Sequence, residues 1–396
     1  MSEDYPVVRF LAGRHKRARG GHPWVYSNEI QMDAAAKSLP AGSLVRLATA
    51  GGEALGLAMF NPRTLIAARF LARDPTARID VDFFGARLAA ALALREFLYP
   101  GGYYRLVHAE ADGLPGLIVD RFGDTLAVQT NSAGMDRLWP EIAAALDSVL
   151  QPRVIVRRDD SPARTLEGLA SAVVVAKGTL AGPIELVENR ARYLADVQAG
   201  QKTGWFYDQR DNRAAVARLA ANATVLDVYA YGGGFAVAAA LAGAESVIAI
   251  DRSNPALALA ERSAALNGVA ERCQFVRADA FEEMTRRAAG AERFGVVIAD
   301  PPAFVKSKKD LGAGLRGYRK MTRLAAALVA PGGFLFVASC SHNVEPQMFA
   351  EEVRRGLVDT ERTGRILRAS GAAPDHPLQP ALLESAYLKA LLLQLD

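Results

Sequence analysis

The sequence predicts an α/β protein. Its C-terminal half reads as an open, mostly parallel sheet with helical crossovers, preceded by a central α/β segment and a small N-terminal β-barrel. Three observations predict this. From about Ala214 onward, short apolar runs alternate with stretches long enough for a helix, the mark of a parallel sheet with crossovers. The stretch up to about Arg73 instead carries evenly spaced short strands with little helix. The 396 residues suffice for two or three domains, and 51% hydrophobic with 8% aromatic content suits Ala-rich helices around such sheets.

In the first stretch the strands fall at Pro6–Leu11, Ser43–Ala48, Leu55–Phe60 and Ile66–Arg69, separated by glycine pairs and an Asn61-Pro62 turn. A second segment opens with an Ala/Leu-rich helix, Asp82–Leu98, followed by strands at Leu117–Asp120, Leu126–Thr130 and Val154–Val156. These breaks predict domains at residues 1–73, 74–186 and 187–396. The net charge of +4 permits a nucleic-acid partner without requiring one. Cys273 and Cys340 form no Cys-x-x-Cys and have no metal-like His pairing, so neither a disulfide framework nor a metal site is expected. Glu3 and Asp4 in an N-terminus without an apolar core argue against a secretory signal, and no apolar run reaches a membrane span. The expectation is a cytoplasmic protein with no membrane partner.

Five apolar runs in the last segment end in a polar residue: Thr224–Asp227, Val247–Asp251, Gln274–Asp279, Val296–Asp300 and Phe334–Cys340. In an open parallel sheet ligands bind beyond the carboxyl ends of the strands, so these ends should line one crevice. A single carboxylate at such a place is ordinarily an N-cap; five polar ends in succession, four of them carboxylates, are more than capping needs. After Asp227 come Tyr229, Gly232, Gly233 and Gly234, then an Ala-rich helix. Glycines at that turn let a ligand approach the backbone. Gly232-x-Gly234 also begins a dinucleotide fingerprint, but Val237 stands where the third glycine belongs. Asp251 can accept both hydroxyls of a ribose, Ser253-Asn254-Pro255 starts the next helix, and Asp279 would sit near an adenine edge. Several nucleotide cofactors would use the first three positions.

The fourth and fifth ends are more selective. In Asp300-Pro301-Pro302-Ala303-Phe304, proline removes backbone donors and leaves acceptors beside a carboxylate, suited to a flat polar substrate such as a base edge. Dehydrogenases have no need of this; S-adenosylmethionine-dependent methyl transfer to a nucleobase or amide does. Ser339-Cys340-Ser341 puts a thiol at the next end. A thiolate adding to C6 of cytosine raises electron density at C5, which can then take a methyl group before the thiol is eliminated. Asp300 could stabilise charge on the ring as sulfur adds. Cys273 is read as structural.

At this point the residues resemble a known family, the bacterial ribosomal RNA large subunit methyltransferase I type, which forms 5-methylcytosine in 23S ribosomal RNA. The resemblance spans nearly the whole chain: His22–Ile30, Ala111–Leu117, Gln201–Arg213, Asp300–Phe304, Ser339–Ser341, Asp375-His376-Pro377 and Tyr387-Leu388-Lys389. It implies an N-terminal PUA domain, a central α/β domain and a Rossmann-like class I methyltransferase domain. It implies S-adenosyl-L-methionine as cofactor, with Lys202, Thr203, Phe206, Asp208 and Arg210 near it, and it stands beside the reading of Cys340 and Asp300 as catalytic that the strand ends themselves give. Gly232 departs from relatives, which often carry Thr there.

With that family context, the basic run Arg14, Lys16, Arg17 and Arg19 beside Trp24 and Tyr26 becomes a candidate RNA contact; alone it would be a solvated face. Val305–Lys320, with Lys306, Lys308, Lys309, Arg316, Arg319 and Lys320, reads as a flexible basic loop suited to phosphates. The partners expected are RNA, namely 23S ribosomal RNA, with a homodimer open to the chain. Two competing readings remain: a methyltransferase of the same architecture acting elsewhere, such as guanine N7, with Cys340 structural, or an RNA-binding protein with a relict catalytic domain. A small-molecule methyltransferase would not need the barrel or the basic segment.

Overall fold

Alternating burial turns the N-terminal strands into a sheet with a core of its own. Along Ser43–Ala48, Val45 and Leu47 are fully buried while Leu44 and Arg46 are only partly so. In the computed structural model, which describes residues 5–396, five strands pair in the order Val7–Arg9, Ser43–Ala48, Ala54–Phe60, Ile66–Ala72, Trp24–Tyr26. Glu3 and Asp4, cited above for the N-terminus, lie outside the described residues. Trp24–Tyr26 was not expected as a strand; it is too short to show alternation.

The second sheet orders Ala172–Lys177, Val154–Asp159, Thr125–Thr130, Leu117–Phe122 and Tyr103–His108. The helix Val81–Leu98 starts at Asp80, whose carboxylate accepts from the Phe83 amide at 3.1 Å. Its core takes in Leu57, Met59 and Leu71 from before Arg73, so both sheets fall in one compact unit, Met1–Gly182 with Asp196–Gly204 and Asp375–Leu383. Buried arginines hold the two later segments. Arg158 donates to the carbonyls of Val197 (3.1 Å) and Gly200 (2.7 Å). Arg95, with no exposed surface, grips Asp112 through two bonds and donates to the Asp375 carbonyl at 3.0 Å.

The second unit comprises Pro183–Ala195, Trp205–Pro374 and Glu384–Asp396. Its strands are β1 (Thr224–Val228), β2 (Ser246–Asp251), β3 (Cys273–Arg277), β4 (Phe294–Ala299), β5 (Val329–Ser339), β6 (Gly364–Ser370) and β7 (Lys389–Leu395). Its main helices are α1 (Arg210–Ala217), α2 (Gly234–Leu241), α3 (Asn254–Leu266), α4 (Ala280–Ala289), α5 (Leu311–Ala327) and α6 (Pro346–Val358). The seven strands run β3-β2-β1-β4-β5-β7-β6, parallel through β5, with β7 antiparallel to both of its neighbours. The five apolar runs of the sequence are β1 to β5. In β1, β2, β4 and β5 the apolar residues are nearly continuous because helices cover both faces, whereas the edge strand β3 carries exposed Gln274 and Arg277.

One expectation fails. Val305–Lys320 is not a flexible loop: after a short turn at Lys308–Asp310 it enters α5, which carries Arg316, Arg319 and Lys320. The helical period lies in Leu311, Leu315, Tyr318, Thr322 and Ala325, which pack against or within the core; its first three positions stand among glycines and basic residues that mask it, and the last two fall beyond Lys320.

Candidate active site

Strand register sets the site. Val228 of β1 is level with Ile250 of β2 and Ala299 of β4, and Ala299 with Val337 of β5. Asp227 therefore lies one residue inside the sheet end, 1% exposed, where its carboxylate accepts from the Ala236 amide (3.0 Å) in the first turn of α2. Burial pushes that carboxyl up to about 7, with the charges of Asp300 and Asp251 adding to it. Asp251 sits at the strand end itself. It accepts from Tyr231 N–H (2.9 Å) and Ser253 N–H (2.8 Å), and a carboxylate has about four acceptor positions, so room remains for a diol. Asp279 caps α4 through the amides of Phe281 (2.9 Å) and Glu282 (3.2 Å).

The turn between β1 and α2 is strained. Tyr229 and Tyr231 have φ of 68° and 48°, a region non-glycine residues seldom adopt. Gly233 must be glycine: at φ +76° an added Cβ would lie 2.7 Å from Ala260 Cβ. Gly232 is not so constrained, since its Cβ would meet only Trp205 at 3.5 Å, an ordinary contact. The Tyr229 hydroxyl is buried with no hydrogen-bond partner among the described residues. A strained turn, a carboxylate with acceptor capacity and an unpartnered hydroxyl beside Asp279 fit a nucleoside cofactor.

Beside this turn runs the segment from Trp205 to Arg213, fixed by a residue the sequence reading missed. Glu188, 2% exposed, closes one strand of the hairpin Ile184–Glu188/Ala191–Ala195. It accepts from Arg213 (2.6 Å) and Trp205 Nε1 (3.1 Å), and Arg210 stands 3.6 Å away. Arg213 also donates to the Phe206 carbonyl (2.7 Å), and its guanidinium covers the Trp205 ring at 4.6 Å. Burial acts to lower the Arg213 pKa, yet the Glu188 charge holds it above its ordinary value. Arg210 is thus bound to a buried carboxylate. Asp208, also buried, accepts from the Tyr387 hydroxyl at 2.5 Å, and Phe206 packs edge-on to Tyr231, 5.2 Å between centroids. Gln209 donates to Asp300 at 2.8 Å, another link that polar-connector composition conceals. Lys202 and Thr203 belong to the other unit, where Lys202 is exposed at φ 51° and the buried Thr203 hydroxyl donates to Asp120.

At the fourth and fifth ends, Cys340 is half-buried, and its thiol makes a long contact of 3.8 Å to the Pro301 carbonyl. The Asp-Pro-Pro turn and the thiol are therefore neighbours. Tyr318 of α5 bonds Ser341 Oγ at 2.8 Å, and Ser341 Oγ accepts from Val305 N–H at 3.1 Å, closing the turn from beneath. The arrangement sets a half-buried thiol against the carbonyl of the residue that follows Asp300. Cys273 is elsewhere, on β3, and burial raises its thiol to about 11.

The basic candidates divide. Arg17 is held by Glu29 (2.7 Å) over the Tyr26 ring, and Arg19 pairs with Glu53, whereas Arg14 and Lys16 are exposed. Lys306, Lys308, Lys309 and Arg316 are exposed around the start of α5, but Arg319 is tied to Asp359 by two bonds of 2.6 Å. Among the described residues no group of three or more His, Cys, Asp or Glu could hold a metal, and no helix is long and apolar enough to cross a membrane.

Comparisons with known proteins bear on this geometry. Residues 167–394 match the family model for S-adenosylmethionine-dependent methyltransferases, and residues 8–73 match that for a PUA-like domain. Among curated proteins, the chain is 35% identical over 382 residues to Ribosomal RNA large subunit methyltransferase I of Erwinia tasmaniensis, covering 95% of this chain and 96% of that one. It is 36% identical over 394 residues to the protein of that name from Aeromonas hydrophila, covering 98% of each. Among solved structures, a Streptococcus mutans protein described as a SAM-dependent methyltransferase superposes with a TM-score of 0.82 at 20% identity, over 98% of this chain and all (100%) of that one. Trm5b from Pyrococcus abyssi shares the fold over 70% of this chain and 74% of its own, with a TM-score of 0.53 at 16% identity.

Proposed function

The chain belongs to the S-adenosylmethionine-dependent ribosomal RNA large subunit methyltransferase I family, and from that premise we propose that it forms 5-methylcytosine in 23S ribosomal RNA through a Cys340 adduct. Its cofactor is S-adenosyl-L-methionine. The observation that carries the cytosine reading is the thiol of Cys340, seated at the end of β5 against the Pro301 carbonyl of the Asp300 turn. The residues suited to the cofactor are Asp251, Asp279, Tyr229, Gly233 and, across the turn, Phe206. When bound, it supplies an electrophilic methyl group.

The chain's own groups do the rest. The Cys340 thiolate adds to C6, the ring's double-bond electrons move toward C5, and Asp300 accepts from the exocyclic amine or from a protonated N3. Once C5 is methylated, loss of its proton returns electrons to the ring and expels the thiolate. Exposed Arg14, Lys16, Lys306, Lys308, Lys309 and Arg316 would hold RNA phosphates and position the target base. In this proposal, residues 1–73 are the PUA domain, 74–186 the central domain and 187–396 the catalytic domain, acting in the cytoplasm.

The test is mass mapping of ribosomal RNA from a strain lacking the gene. Wild-type protein should restore a methyl group on carbon 5 of a cytosine, and Cys340→Ala should not. Full activity of Cys340→Ala would sink the covalent mechanism, and a methyl group on guanine N7 would replace the substrate assignment.

A further inference from the structure

Lys389 opens β7 as the one cation of an otherwise apolar strand, Lys389–Leu395, apart from Gln394 the only polar residue in it. It lies opposite Ser339 of β5 in the antiparallel register, so its backbone is beside the Ser339-Cys340-Ser341 strand end. The side chain is 6% exposed. Its ammonium donates to the carbonyls of Ser341 (2.5 Å) and Tyr387 (2.8 Å), one of which immediately follows Cys340 in sequence. No carboxylate is paired with it among the described residues. A buried ammonium held by carbonyls alone is an expensive arrangement, and leucine would suit the strand better. Burial lowers the ammonium to about 8 while Cys340 acts in the opposite direction, so at neutral pH the group is still mostly charged.

We propose that Lys389 is a positioning residue for Cys340, its fixed ammonium favouring the thiolate over the thiol at the end of β5. The inference rests on Cys340 being the nucleophile. The thiol proton passes to water before substrate addition, leaving a thiolate–ammonium pair; Lys389 itself keeps its proton. Other groups around the pair are Tyr318 from α5, bonded to Ser341, His342, stacked on Tyr387 at 5.3 Å, and Asp208, bonded to Tyr387. Asp300 lies at the neighbouring strand end, where its charge would disfavour a thiolate; the Lys389 ammonium, which interacts with Cys340, acts in the opposite sense. An unassisted thiol with a pKa of about 8.5 would be only a few per cent reactive at neutral pH.

The experiment follows alkylation of Cys340 by iodoacetamide against pH in the intact protein, read by mass spectrometry of the Cys340 peptide. Wild type should show an inflection below about 8.5. Lys389→Gln keeps N–H donors for the two carbonyls but removes the charge. It should move the inflection up by about one pH unit and slow alkylation at neutral pH about tenfold. Lys389→Arg should restore the wild-type profile. A role confined to holding the Ser341 carbonyl would leave the Lys389→Gln profile on that of wild type, and this result overturns the proposal. So does a wild-type inflection at or above about 8.5, which needs no variant to fold. Because alkylation reads only the thiol, this failure is distinct from methylation persisting in Cys340→Ala, which would defeat the underlying mechanism instead.

Discussion

Replacing Glu188 by Gln should unfasten the cofactor side of the second unit. Glu188 is 1% exposed in its side chain and faces Arg213 and Arg210, themselves 5% and 4% exposed. Removing its charge takes away the carboxylate that Arg213 and Arg210 both face, and the new amide turns N–H donors toward Arg213 or Trp205, which are donors too. Breaking a buried pair from one side costs about 3–5 kcal/mol. The loss should appear in urea denaturation followed through Trp205 in a Trp24→Phe, Trp139→Phe background, since the chain has three tryptophans. Because Arg213 also holds the Phe206 carbonyl, affinity for S-adenosylhomocysteine should fall with it, by about tenfold for each 1.4 kcal/mol transmitted to the turn. Adding Arg213→Met should recover part of the stability, because it removes the guanidinium that bonded Glu188 most closely. A loss below about 1 kcal/mol with unchanged ligand affinity, the range of a surface pair, would refute the view that this carboxylate organises the segment.

Three other outcomes are expected. In Gly234→Ala the new Cβ would stand 2.5 Å from Arg213 Nε, which Glu188 and Phe206 keep from moving; melting should reveal a loss of about 1–3 kcal/mol, and an unchanged melting temperature would show that Arg213 yields. The folded chain holds the Asp227 proton up to about 7 where the unfolded chain releases it near 3.8, so this group's contribution falls as pH rises between those values, by at most about 4 kcal/mol. Asp227→Asn should remove that decline, and parallel stability–pH curves for the two proteins would contradict it. Replacing Lys306, Lys308 and Lys309 by Ala should flatten the salt dependence of RNA binding by about 0.7 per lost phosphate contact in log–log slope, and an unaltered slope would remove these lysines from the interface.

What the sequence made legible was whatever is encoded locally. The buried parallel strands β1, β2, β4 and β5 are nearly continuous apolar runs, and the half-exposed β3 keeps Phe275 and Val276 before Asp279, so all five strands and their polar ends are legible directly. Distances along the chain hid the rest. Glu188 looks like a surface residue of a polar stretch because Trp205 and Arg213, which bury it, come much later. Its hairpin turns through Asn189 and Arg190 at φ 51° and 70°, a conformation that would have been plainer with glycine. Helix α5 escaped notice because glycines at 312, 314 and 317 dilute its first turns; Gly314 is there because Val305 and Phe304 press against it, with a Cβ due 2.2 Å from Val305 Cγ2. By its place at the end of an apolar run Asp227 should line the crevice, but the register of β1 stops it one residue short.

The assignment of Asp375–Leu383 to the first unit has a consequence for how the protein is made. Gly182 and Asp375 are separated by about 190 residues, which a ribosome adds in about 10–40 s. Throughout that interval the nascent first unit lacks the Asp375 carbonyl that Arg95 bonds and the Asp375 carboxylate that accepts from the Arg105 amide at 3.0 Å. Water must serve those donors meanwhile. Its N-terminal sheets can pair early, but their last hydrogen bonds arrive only after Asp375 has been added, so a chain stalled or cut before that point would leave them open to proteases.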